Sequence, residues 1–245
     1  MSSIPYITTE QMIEVDRAMI EEYHIQLVQM MENAGRNLAH LARRRFLGGD
    51  PRGKKVVVLA GRGGNGGGGL VCARRLHNWG AQVQVIIKNP DEGYRGIPAH
   101  QLDILRRMKV PVATAEQIKI KGLPATDPII LIIDAVIGYS LKGNPRGTAA
   151  QMIRWANAHP APILSLDAPS GVDTTTGDVR EPAIRATATM TLALPKEGLR
   201  APGIEERMGE LYLADISVPP ALYGGDKLDL EVGAIFAKED IVRLV

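Results

Sequence analysis

The chain has a single cysteine, Cys72, in 245 residues. That excludes an internal disulfide framework and a cysteine-based zinc site. Its position inside a predicted helix makes Cys72 a core residue, and the cytosol is the expected compartment. Blocks of like charge are also missing: 29 Lys and Arg nearly balance 27 Asp and Glu, which gives no footing for a nucleic-acid or membrane-surface role. No apolar run is long enough to span a bilayer. The start MSSIPYITTEQM lacks both a basic stretch ahead of an apolar one and a cleavage site, so no leader is expected. Repeats and low-complexity tracts are absent apart from one glycine-rich stretch. What is present is 45% hydrophobic residues, enough to bury a sizeable core, and one domain over 1–245 is expected.

Thr8 followed by Gln11 matches a capping box, and Met12, Val15, Met19 and Ile20 recur at helical spacing, predicting a helix over 9–23. Leu27, Met30, Met31, Ala34, Leu38 and Leu41 continue that period to about Phe46, so a helical segment within residues 1–50 precedes the first strand. The methionines read as core packing. Beyond Lys54 the chain alternates. VVVLA, QVQVIIK, IILIID, PILSLD, ATMTLAL and GELYLAD read as strands, and helices are predicted over 69–79, 98–108 and 148–158. Continuous apolar strands separated by helices predict an α/β fold with a mostly parallel sheet covered on both faces. Such sheets bind ligands beyond the strand C-terminal ends, which singles out loops 61–68, 135–146 and 168–178.

The first of these lies in GRGGNGGGG, residues 61–69, seven of which are glycine. Gly61, Gly63 and Gly66 have dinucleotide-fingerprint spacing, but the second strand ends Ile87-Lys88-Asn89-Pro90 with no acidic residue to hold a ribose. A phosphate-binding loop of the Gly-Lys-Ser/Thr type is excluded as well. Bare backbone at a helix N-terminus still presents N–H groups to an anion, so a phosphate-bearing ligand is expected, with a tight turn at positive φ as the plain structural alternative. Two strands end in aspartate, Asp134 and Asp167. A carboxylate after an apolar run needs a partner, although each alone also reads as a turn-making cap.

Together these stretches resemble the YjeF N-terminal family, the NAD(P)H hydrate epimerases, also called apolipoprotein A-I binding proteins. The likeness runs from ITTEQMIEVDRAMIEEY and MMENAGRNLA, through GRGGNGGGGLVCARRL, IIDAVIGYSLKGNPRG and LSLDAPSGVDTTTGD, to ATMTLALPKEGL and GELYLADISVPP. It implies a Rossmann-like three-layer αβα sandwich, usually a homodimer, that epimerises hydrated NADH and NADPH and binds potassium. By position, the cation ligands would be Asn65, Asp134 and Ser170. Substrate would touch Gly64, Asn65, Gly66, Gly67 and Gly68, then Gly138, Tyr139, Ser140, Leu141, Lys142, Gly143 and Asn144, and Asp167. A separate ATP- or ADP-dependent dehydratase is the implied pathway partner.

One departure accompanies the match. The family loop reads G-x-G-N-N-G-G-D-G, whereas Gly64 and Gly68 replace its first asparagine and its aspartate here. Two polar side chains are missing and turnover slower than that of relatives is expected. In the hydrate, the hydroxyl sits on a ring carbon next to the ring nitrogen, whose lone pair can expel hydroxide and leave a planar iminium that water re-enters from either face. One carboxyl that gives and takes a proton suits this, and Asp167 is the choice, with a purely hydrogen-bonding role as the alternative. Lys142 and Arg146 read either as phosphate contacts or as solvated loop charges. The competing reading of the whole chain is a non-catalytic nucleotide-binding or interaction module, and a dehydrogenase ranks below both.

Overall fold

The computed structural model describes residues 4–88, 93–117 and 128–245. Two helices come first, α1 (Thr9–Glu21) and α2 (Leu27–Leu41), the latter widening into a π-helical turn over Ala42–Phe46 where one continuous helix was expected. The capping box at α1 forms as its sequence predicts: Thr8 Oγ1 accepts from Gln11 N at 3.2 Å, and Gln11 Oε1 accepts from Thr8 N at 2.9 Å. Met12, Val15 and Met19 are buried, but Ile20 is 38% exposed and stands at the rim of a cavity.

The alternating part runs β1 (Lys55–Ala60), α3 (Gly64–Asn78), β2 (Gln82–Ile87), α4 (Gly96–Arg107), β3 (Val112–Thr114), β4 (Ile129–Ala135), α5 (Gly147–Ala158), β5 (Ile163–Leu166) and β6 (Ala188–Leu192). The short α6 (Glu205–Met208), β7 (Glu210–Ala214), the short α7 (Pro220–Tyr223) and β8 (Ile241–Arg243) complete it. The strands form one sheet in the order β3-β2-β1-β4-β5-β6-β7-β8, parallel except for the β7–β8 pair. β3 and β8 have three residues each, too few for a period-2 pattern to show in the sequence.

β1 is buried along its whole length, as the run KVVVLA requires. Val56, Val58 and Ala60 face one layer, with Leu38, Leu70 and Leu102 from α2, α3 and α4, while Val57 and Leu59 face the other, with Met152 and Ile153 of α5. The result is a three-layer αβα sandwich. The strand order reverses between β1 and β4, and a crevice opens there beyond the strand C-terminal ends.

The glycine stretch departs from the expected loop: residues 64–69 already belong to α3. Helical glycine costs about 1 kcal/mol relative to alanine, so a run of them needs a packing reason. A Cβ at Gly66 would lie 1.9 Å from Gly61 O, and one at Gly69 would lie 2.5 Å from Ala135 Cβ. One at Gly67 would lie 2.5 Å from Met31 Sδ. From the opposite side, a Cβ on Gly35 of α2 would meet Gly68 O and Val71 Cβ at 2.5 Å. The bare residues let α3 sink between α2 and the sheet. None of the glycines from 61 to 69 has positive φ, so the tight-turn explanation falls away.

Candidate active site

The crevice at the reversal holds a cavity of about 590 Å³, within the range of small-molecule sites. One wall is helical, with Met12, Asp16 and Ile20 from α1 and Leu27, Met30, Met31 and Ala34 from α2. The other is made of strand ends: Gly61 to Asn65 and Gly68 after β1, Val136 to Ser140 after β4, Leu166 at the end of β5 and Asp167 just beyond it. The two walls are laced together, because Thr9 N donates to Thr175 Oγ1 at 3.0 Å and Thr9 Oγ1 meets Thr174 Oγ1 at 2.8 Å.

Asp167 sits at φ +67°, a left-handed conformation that aspartate tolerates better than most residues. Its N–H donates to Met190 O at 2.7 Å, which anchors the turn to the neighbouring strand. Its carboxylate accepts Tyr139 N through Oδ2 at 3.0 Å, and Oδ1 lies 2.6 Å from Lys196 Nζ. Lys196 is fully buried, and its ammonium also donates to Leu192 O at 2.8 Å and Thr191 Oγ1 at 3.3 Å. The lysine is positioned by the chain start: Ile7 N donates to Pro195 O at 2.8 Å and Glu197 N to Ile7 O at 2.9 Å.

Asp134 lies fully buried behind the strand-end wall. Its Oδ2 accepts Ser165 Oγ at 2.8 Å and Ser170 N at 2.9 Å, and Oδ1 accepts Ser170 Oγ at 2.6 Å and Val136 N at 3.3 Å. Burial pushes this carboxyl up, against the pull of those donors. All of its hydrogen-bond donors are neutral. Asn65 packs against Gly138, where a Cβ would lie 3.2 Å from Asn65 Cγ and 3.0 Å from Asp167 Oδ2, and Asn65 Nδ2 is buried without a hydrogen-bond partner. Among the described residues no three His, Cys, Asp or Glu side chains converge. The set on offer is an amide, a hydroxyl and one carboxylate, oxygen donors carrying one negative charge, which fits a hard cation of low charge.

The residues expected from sequence divide. Gly64, Asn65, Gly68, Gly138, Tyr139, Ser140 and Asp167 line the cavity. Gly66 and Gly67 are turned to packing, and Leu141, Lys142, Gly143 and Asn144 lie outside the lining, with Lys142, Gly143 and Asn144 exposed. Of the two loop cations considered, Arg146 lines the cavity and Lys142 does not; Arg62 and Lys88, not considered before, do. Two buried or half-buried groups also escaped the sequence reading, Lys196 and Asp16. Asp16 left a signal, since it interrupts the apolar stripe of Met12, Val15 and Met19. Lys196 left none, because a lysine in a turn reads as solvated.

The sequence profile described as "YjeF-related protein N-terminus" matches residues 27–198. The chain belongs to the YjeF N-terminal family. A relative from Dehalogenimonas lykanthroporepellens, described as "NAD(P)H-hydrate epimerase", is 43% identical to this YjeF chain over 225 residues, covering 90% of it and 85% of the relative. A Rhodopirellula baltica protein of the same description is 32% identical over 217 residues, covering 88% of this chain and 86% of its own. A Salinibacter ruber relative, "Bifunctional NAD(P)H-hydrate repair enzyme Nnr", is 36% identical over 88% of this chain, and the match spans only 41% of that longer protein. The crystal structure of yeast ynu0 superposes with a TM-score of 0.82 at 27% identity, covering 98% of this YjeF chain and all of the yeast one.

Proposed function

We propose that this YjeF-family chain is an NAD(P)H-hydrate epimerase, an isomerase that interconverts the R and S forms of hydrated NADH and NADPH. The observation that carries the reading is Asp167, a carboxylate oriented by Tyr139 N and Lys196 at the wall of a cavity of about 590 Å³. Names borne by relatives over most of the chain's length support the substrate class.

The nucleotide's phosphates would meet the open N–H groups at the start of α3, whose N-cap Gly63 brings no side chain of its own, together with Arg62, Lys88 and Arg146. The apolar helical wall excludes water from the ring. Asp167 exchanges a proton with the hydroxyl or water at the reacting ring carbon. Lys196 fixes the carboxylate and offsets its charge where water is scarce. Asn65, Asp134 and Ser170 would hold a potassium ion, which would supply a fixed positive charge beside the cavity.

Gly64 and Gly68 favour one competing reading, a nucleotide-binding module without turnover, because both line the cavity without offering a polar side chain. Incubating the purified protein with a mixture of the epimers of known composition decides between them. Approach to the equilibrium ratio far faster than in buffer is expected; binding without interconversion would leave the module.

A further inference from the structure

Asp16 is a carboxylate on the helical wall of the cavity, where its neighbours along the stripe are Met12, Val15 and Met19. No cation of its own helix serves it: Arg17, the next residue, is committed to Glu14, Glu21 and Glu22. One residue ties Asp16 to the strand-end wall. Tyr139 donates its backbone N–H to Asp167 Oδ2 at 3.0 Å and its phenol to Asp16 Oδ2. The two carboxyls are therefore joined through one tyrosine and line the same cavity, Asp16 from the helical wall and Asp167 from the strand-end wall.

We propose that Asp16 and Asp167 divide the proton transfers of epimerisation between them, each serving one face of the hydrated nicotinamide ring. The assignment rests on the epimerase reading above and deepens it. Return of water to the face that hydroxide left regenerates the starting epimer, so inversion needs a proton acceptor on the other face. In one direction Asp16, as the acid, gives its proton to the hydroxyl as the carbon–oxygen bond breaks, and the ring-nitrogen lone pair forms the carbon–nitrogen double bond. Water then adds on the opposite face. Asp167 takes its proton as the new carbon–oxygen bond forms, and the double-bond pair returns to nitrogen. One proton has moved from Asp16 to Asp167, no oxidation has occurred, and the reverse reaction exchanges the roles.

The surroundings match that division. Burial raises Asp16 above the ordinary carboxylate range, against the pull of the Tyr139 hydrogen bond and of Lys196, and the charge of Asp167 adds to the rise. Burial also pushes the Tyr139 phenol up, which keeps it a donor, and Tyr223 of α7, which also senses Asp16, is pushed up likewise. Tyr139 occupies Asp16 Oδ2, which leaves Oδ1 free of that hydrogen bond to carry a proton. Asp167, in its ion pair, is the acceptor.

The test starts from one isolated epimer in ¹⁸O-water and follows two readouts, inversion and label uptake. Removing an acid/base group slows its step by about 10²–10⁴-fold, so Asp16→Asn is expected to lose epimerisation by at least about 100-fold. Label should still enter, within about tenfold of the wild-type rate, the epimer whose hydroxyl faces Asp167, because loss and return on that face need only Asp167. Asp16→Glu keeps the carboxyl and should recover at least tenfold over Asp16→Asn, which separates chemistry from damage to the fold. Wild-type epimerisation in Asp16→Asn would overturn the assignment, as would parallel loss of label uptake and inversion with no rescue by Asp16→Glu. A wild-type protein that fails to epimerise would instead overturn the epimerase reading itself.

Discussion

Lys196 Nζ and Asp167 Oδ1 stand 2.6 Å apart, with side-chain exposures of 0% and 4%. A lysine so enclosed is held by its partner, and removing one member of a buried pair strands the other charge, at about 3–5 kcal/mol. Lys196→Met is therefore expected to lower stability by that amount in denaturant unfolding. The double variant Lys196→Met/Asp167→Asn should be more stable than Lys196→Met alone, since no charge is then left buried. Unaltered stability in Lys196→Met would show that the pair does not hold the turn.

Asp167→Asn preserves size and the acceptor for Tyr139 N but has no proton to exchange. Turnover should fall by about 10²–10⁴-fold while nucleotide affinity stays within about an order of magnitude. Equal losses of affinity and turnover would reduce Asp167 to a binding contact.

The glycines of α3 make separable predictions. Gly64 has ordinary φ, and the nearest atom to a Cβ there is Met31 Cε at 3.6 Å, so Gly64→Asn should keep the melting temperature and raise the rate by adding a polar contact in the cavity. Gly68→Asp meets Leu166 Cδ2 at 2.8 Å, the tip of a side chain that can turn, and should lower stability modestly. Gly66→Ala meets the backbone carbonyl of Gly61 at 1.9 Å and should destabilise by more than about 2 kcal/mol. Comparable melting temperatures for Gly64→Asn and Gly66→Ala would refute the close-packing explanation.

How much of this was legible in the sequence depends on the residue. The long apolar strands, the helices between them and the capping box at Thr8 follow from local pattern. The pairing of Asp134 with Ser170, and the meeting of Asn65 and Asp167 at Gly138, are the kind of approach that strand ends in an open sheet and the family resemblance lead one to expect. The role of the glycines did not: whether a bare backbone faces a ligand or a neighbouring helix depends on α2, which is distant in sequence. Lys196 was hidden for the same reason, because its burial depends on the Ile7 segment laid across it. Asp16 could have been found as a polar gap in a helical stripe.

Potassium should raise the melting temperature more than sodium at equal ionic strength, because a cation that binds the folded chain stabilises it by mass action. Asp134→Asn removes the one negative charge of the proposed site and should abolish the difference between the two salts. A potassium effect that survives Asp134→Asn would place the ion elsewhere.

Acid should weaken the start of β7. The Arg45 guanidinium holds Glu210 down to about 2, below its usual 4.5. The folded value is the lower one, so the stabilisation is full above pH 4.5 and fades as pH falls toward about 2. Glu210→Gln should flatten that part of the stability profile, measured by unfolding at each pH, and an unchanged slope would assign acid sensitivity to other carboxyls.

The most direct measurement starts from one isolated epimer of hydrated NADH or NADPH and follows the appearance of the other by chromatography, with wild-type protein, Asp167→Asn and buffer side by side. The account predicts that the wild type reaches the equilibrium mixture far ahead of buffer while Asp167→Asn tracks buffer closely. Wild-type protein no faster than buffer, or Asp167→Asn as fast as wild type, would contradict it.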